Sequence, residues 1–154
     1  MIRAEIAETR VMESWQDYQA ALVRAIAPLT DAQLRQRVIP NQRTPGKVAE
    51  HIVLGRALHL YRTLGREAFA LTPLLTWDDA DAPPRSASEI VQGLEQTWRV
   101  ITATLRRGAP ADSLSAQAEV AVMQTIWGLL DHDLPHAGEL ALLLGAAGLP
   151  GVEI

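Results

Sequence analysis

From about Val120 to Ala147 the chain is apolar almost all the way round a helical wheel. A helix of this kind persists in water only when other elements cover most of its circumference. It therefore commits the chain to a helical bundle or to a membrane. Length decides against the membrane: the longest apolar run, Leu140 to Val152, is about 13 residues and holds Pro150, against the ~18 needed to span a bilayer. On this reading the segment is the most buried helix of a bundle. Its polar residues are concentrated at Asp131, His132, Asp133, His136 and Glu139. Polar groups inside a core cost free energy unless they are paired or bind something, so a site is expected here. Pro135 sits among them, removes the bond to the Asp131 carbonyl, and is expected to bend the helix.

Three further segments carry helical periodicity. Val11, Trp15, Tyr18, Leu22, Ile26 and Leu29 recur at intervals of three and four and make one apolar stripe. Pro28 is expected to end that helix, and Thr30-Asp31 to open a short helical turn to about Arg37. Thr44-Pro45 reads as an N-cap followed by proline at the first helical position, where a missing N–H costs nothing. The helix it opens runs to about Gly65, with Val48, His51, Ile52, Gly55, Leu58, His59 and Arg62 on one side. Residues 66 to 85, with Pro73, Pro83, Pro84 and the acidic run Asp78-Asp79-Ala80-Asp81, read as a long connection. Ser86 and Glu89 then fit a capping box. Ile90, Leu94, Trp98, Ile101 and Leu105 mark the next helix, which Gly108, Pro110 and Ser113 to Ser115 break.

These segments make an all-α chain, a bundle of four main helices, and its 154 residues suit one domain spanning 1–154. There is no cysteine, which excludes disulfides, thiolate metal sites and a cysteine nucleophile. The first residues carry charges where a signal peptide needs an apolar core, so a cytoplasmic location is the default. Net charge is −4 and the basic residues are scattered, which argues against nucleic acid as a partner.

The chemistry rests on histidines. His132 and His136 are four apart, about 40° in rotation and about 6 Å in rise along a helix, so both rings leave one face and can share an ion. Neutral imidazole suits zinc, nickel, copper or iron. A third ligand must come from another helix, and His51, mid-way along the second helix on its apolar side, is the candidate. His59 lies about 12 Å further along and is expected at the bundle end or surface. Glu139, seven residues past His132, is the candidate for aiming a ligand or taking a proton, the competing view being an ordinary bundle carboxylate. Asp131 and Asp133 are expected to point elsewhere or to support the histidines.

The string Asp131-His132-Asp133-Leu134-Pro135-His136-Ala137-Gly138-Glu139-Leu140, with Leu144-Gly145 and Gly148-Leu149-Pro150-Gly151 after it, resembles the last helix of the DinB-like superfamily. Thr44-Pro45-Gly46-Lys47-Val48-Ala49-Glu50-His51-Ile52 is similar to that family's second helix, and the resemblance covers essentially the whole chain. It implies an up-up-down-down bundle with a long crossover, and a metal held by His51, His132 and His136, with zinc or nickel foremost. Three protein ligands leave positions open for water or substrate, the arrangement of a catalytic ion.

The resemblance also implies reactions. Characterised relatives include thiol-dependent S-transferases and maleylpyruvate isomerase-like proteins. Thiol transfer or hydrolysis is therefore the first reading, with an exogenous low-molecular-weight thiol because the chain has no thiol of its own. A non-catalytic, stress-associated metal-binding bundle is the alternative. A zincin-like peptidase is the third, since His132 to His136 has H-x-x-x-H spacing, but Asp133 stands where that motif needs glutamate. Trp77, in the acidic connection, is a candidate wall for an organic substrate if it does not simply pack the loop down. Trp15 and Trp98 add apolar material beyond what one bundle needs, and relatives often pair, so a homodimer is expected.

Overall fold

The computed structural model describes the backbone of residues 2–79, 81–107 and 116–153, and the side chains of residues 11–79, 81–105 and 124–153. The chain is all-helical over these residues, with no strand among them. Four long helices, α1 (Ile2–Ile26), α3 (Pro45–Leu64), α4 (Ala87–Arg107) and α5 (Ala116–Ala146), accompany a short α2 (Asp31–Arg35). The expected break at Gly108, Pro110 and Ser113 to Ser115 lies outside the described residues.

Local chemistry sets the helix starts. Thr30 caps α2 by accepting from Gln33 N, and Gln33 accepts in return from Thr30 N at 2.9 Å. Thr44 Oγ1 accepts from Lys47 N at 3.3 Å, with Pro45 at the first position of α3. Ser86 and Glu89 form the capping box of α4, Glu89 N donating to Ser86 Oγ at 3.3 Å and Ser86 N donating to Glu89 Oε2 at 2.9 Å. Each such cap contributes about 1 kcal/mol. Helix α3 stops at Gly65, whose φ of 58° is accessible to glycine and strained for residues with a Cβ.

Residues 65–76 differ from the expected loop: they form a run of 3₁₀ turns (Gly65–Thr76) that buries Ala68, Leu71 and Leu74. Helix α3 packs against this run, α5 and α4, and so is enclosed on several sides. Its buried residues include Val48, Ala49, Ile52, Val53, Arg56, Ala57 and Leu60. This corrects two expectations. Arg62, placed on the apolar side by periodicity, is exposed, whereas Arg56 is buried. The most apolar helix, α5, is not covered all round: Trp127, Leu134 and Leu142 on its outer side are 65%, 50% and 64% exposed. The α5 helix also continues through Pro135, which lies on its solvent side.

Contacts between helices give their directions. His51 meets His136, Gly55 meets His132, and His59 meets Gly128, so α3 and α5 are antiparallel. Glu50 bonds to Arg85, Val53 faces Gly93, and Leu60 and Ile101 line one small cavity, so α3 and α4 run the same way. Trp15 shares that cavity with Leu129, Tyr18 bonds to Asp133, and Arg24 reaches Glu153, so α1 runs with α5. The order is therefore up-down-down-up, a correction to the up-up-down-down order that the resemblance implied. The long connection follows from it. The 20 residues of α3 span about 30 Å, and the chain must travel back that distance to lay α4 alongside in the same direction.

Leu22, Ile26, Ile52, Leu60, Ile90, Leu94, Ile101, Leu140 and Leu144 form the centre of the core. Each such side chain contributes about 1.5–3 kcal/mol on burial. Trp15 packs edge-on to Trp98 with centroids 5.9 Å apart, so the two tryptophans find partners within one chain. Among the described residues no helix is long and apolar enough to cross a membrane.

Candidate metal centre

Two helices build the site. The cap at Thr44 sets the start of α3, and His51 follows about two turns in. From α5, His132 and His136 project from one face towards it, as their four-residue spacing requires. The three ring centroids are 5.2 Å (His51–His132), 4.5 Å (His51–His136) and 4.8 Å (His132–His136) apart. One nitrogen from each ring lies within 4.8 Å of the others, and this is the group found among the described residues able to hold an ion. Imidazole nitrogens around one tetrahedral zinc sit about 3.4 Å from each other, given Zn–N bonds near 2.1 Å. The difference is at most about 1.4 Å, of the order that side-chain rotation spans. The donor set thus fits a borderline divalent ion.

The rings are neither sealed nor fully exposed. The His132 and His136 side chains are 25% and 23% exposed, so the cluster keeps an open side. Burial lowers the pKa of His51 below its ordinary value; the neighbouring His136, Arg43 and His132 push the same way, and Asp78 opposes them. His51 is therefore a neutral imidazole with a free lone pair at neutral pH. Asp78, in the acidic connection, is thus near enough for its charge to act on His51.

Glu139 stands beside His136, with Oε2 3.3 Å from His136 Nδ1. Arg43, in the loop before α3, grips the same carboxylate with two donors: Nε to Oε1 at 3.1 Å, and Nη2 to Oε2. Its Nη2 is also 3.1 Å from His136 Nδ1. Burial pushes the Glu139 carboxyl up, but hydrogen bonds from Arg43 and His136 and their charges outweigh it, leaving the group below the ordinary glutamate range. Nδ1 of His136 thus lies between an acceptor, the Glu139 carboxylate, and a donor, the Arg43 guanidinium; with its proton on Nδ1 shared with Glu139, Nε2 is the nitrogen free to take an ion.

Other expected residues fall differently. Asp131 is exposed, while Asp133 is turned inward onto Arg56 and is fully buried. An acid placed there does not reach a water on the open side, so the peptidase arrangement has no general base. His59 is not at a surface or bundle end: it lies half-buried in the α3–α5 seam, where Gly128 makes room for its ring. A Cβ on Gly128 would sit 2.1 Å from His59 Cε1. Trp77 does not wall the site. It is 7% exposed and packs on Gly93, with Arg85 over its ring at 5.2 Å. Sequence reasoning missed Arg43, Arg56 and Gln19, and placed Gly55 on the His51 face without its role; the one available signal for the arginines was Arg56, amid the apolar positions of α3.

A family model described as the DinB superfamily matches residues 14–140, a span that includes the three histidines and Glu139. No curated protein and no solved structure matches.

Proposed function

The chain belongs to the DinB superfamily, and on that premise we propose that it is a metal-dependent enzyme holding one divalent ion through His51, His132 and His136. The observation that carries this reading is the meeting of three imidazoles from two helices within 4.8 Å. Zinc and nickel are the ions proposed, since both take imidazole readily. Bound there, the ion would supply Lewis acidity to an incoming thiol or water.

The protein's own residues do the rest. His51, kept neutral chiefly by partial burial, contributes its lone pair without first losing a proton. Glu139, held by Arg43, aims His136 and lies within reach of the open side as a proton acceptor. Asp78, whose charge acts on His51, favours an approach by neutral or cationic groups. With no cysteine in the chain, the thiol must be exogenous and of low molecular weight. The reaction class proposed is thiol transfer, with hydrolysis as its close relative.

The test is a cobalt-substituted protein titrated with a small thiol. Direct coordination shifts the visible spectrum. His51→Ala abolishes the response, whereas Glu139→Gln preserves thiol binding and lowers turnover. A cobalt spectrum indifferent to every added thiol and small anion would identify a closed, structural ion and remove the enzyme reading.

A further inference from the structure

Arg56 on α3 and Asp133 on α5 are both 0% exposed, and Arg56 Nε donates to Asp133 Oδ2 at 2.6 Å. Arg56 Nη1 donates to Gln19 Oε1 of α1 at 2.6 Å, and Tyr18 Oη donates to the main-chain oxygen of Asp133 at 3.2 Å. A buried ion pair is often no more stabilising than well-packed apolar side chains of the same volume. Stability alone therefore does not account for a charged pair in the centre of this bundle. The second oxygen of Asp133 offers a reason: Oδ1 lies 3.3 Å from His132 Nδ1.

A carboxylate oxygen in an ion pair with arginine only accepts, so this contact is a hydrogen bond when His132 carries its proton on Nδ1. A neutral imidazole in that form presents Nε2 as its lone pair. The ring is fixed from below as well. A Cβ on Gly55 would lie 2.0 Å from His132 Cε1 and 2.2 Å from Nε2, so the ring rests directly on the α3 backbone.

We propose that Asp133, clamped by Arg56, is a positioning residue that holds His132 in its Nδ1–H form and aims Nε2 into the cluster with His51 and His136. The inference rests on the metal-binding reading above. It pairs with Glu139 and Arg43 on His136, so each helix-α5 ligand has a carboxylate at Nδ1 and each carboxylate an arginine. The two clamps differ in access. Arg43 and Glu139 are 38% and 24% exposed, whereas the Arg56–Asp133 clamp is sealed from solvent and substrate and can act only through His132.

Nitrogen-15 NMR of the histidine-labelled chain, metal-free and zinc-loaded, tests this. The expected spectrum has neutral His132 protonated on Nδ1 in the metal-free protein and zinc on Nε2 in the loaded one. In Asp133→Asn the amide oxygen is drawn to Arg56 and the NH₂ faces His132, so the metal-free tautomer shifts to Nε2–H. Zinc affinity falls about 10–100-fold. In a His132→Ala background the same substitution leaves zinc affinity unchanged; a clamp that merely locks three helices together would weaken binding in both backgrounds, and that result overturns the proposal. Should Asp133→Asn fail to fold, the unmodified chain decides: Nε2–H on His132 without metal, or zinc on its Nδ1, overturns it. Zinc failing to bind a protein whose His132 is Nδ1–H overturns the metal reading alone.

Discussion

Two histidines of the α3–α5 seam, His51 and His59, are held by burial below the ordinary imidazole pKa. For His59 a backbone hydrogen bond to Thr125 opposes the shift, and neighbouring His132 and Arg62 add to it. In the unfolded chain both groups take up protons near pH 6.5, while the folded chain resists protonation until the pH is lower. Their contribution to stability is therefore present in full above about pH 6.5 and is lost as pH falls through the folded values. The metal-free protein is expected to show a falling urea midpoint from pH 7 to pH 5, with a shallower fall in His59→Gln. A midpoint independent of pH across that window would contradict the burial of these rings. At this scale the sequence was informative about the clustered histidines and about Glu139 and Asp133 beside them, and much less so about the arginines that hold those carboxylates. His51, His132 and His136 stand out because a polar ring on an apolar face needs a reason. Arg43 does not, and Arg56 gives only the signal of a cation amid apolar positions, because a long cationic side chain reads as solvent-facing whether it snorkels out or pairs inside.

At the scale of elements, the α3–α5 seam does most to build the site. Its register sets His51 on His136, Gly55 under His132 and Gly128 against His59, and each glycine provides the space a ring occupies. Gly55→Ala would drive a methyl group into the His132 ring, with contacts of 2.0–2.6 Å that something must relieve. Expected is a loss of zinc affinity of at least about 10-fold, comparable to disturbing a ligand's support, with a destabilisation of about 1–3 kcal/mol from overpacking. Competition with a chelator and urea titration measure the two effects. Unchanged zinc affinity in a folded Gly55→Ala protein would mean that His132 is not seated on α3. The helices and their caps were legible from residues such as Thr44-Pro45 and Ser86 with Glu89, because capping is local chemistry. Helix order was not, because periodicity reports which face of a helix is buried and says nothing about whether its neighbour runs parallel or antiparallel. The 3₁₀ run over 65–76 was hidden for a related reason: Pro73 and the following acidic residues carry loop chemistry, while the burial of Leu71 and Leu74 comes from tertiary packing.

For the whole molecule, the ground for pairing has moved. Trp15 and Trp98, which suggested surplus apolar surface, pack on each other inside one chain. The outer side of α5 carries Trp127, Leu134 and Leu142 in the open instead, spaced so that they share one face of the helix. We propose that two copies pair through this face; light scattering at tens of micromolar should give the mass of a dimer, and Leu142→Lys should reduce it to that of a monomer. A monomer mass for the unaltered chain would reject the pairing and leave the metal centre untouched, since all three histidines come from one chain. That centre is the core of the account, and metal analysis of protein purified without chelators tests it most directly. The unaltered chain should carry up to one divalent ion, and lose it as pH falls below about 6, where protons compete for imidazole. A chain with His51, His132 and His136 all changed to alanine should carry next to none. Equal metal content in the two proteins would contradict the account.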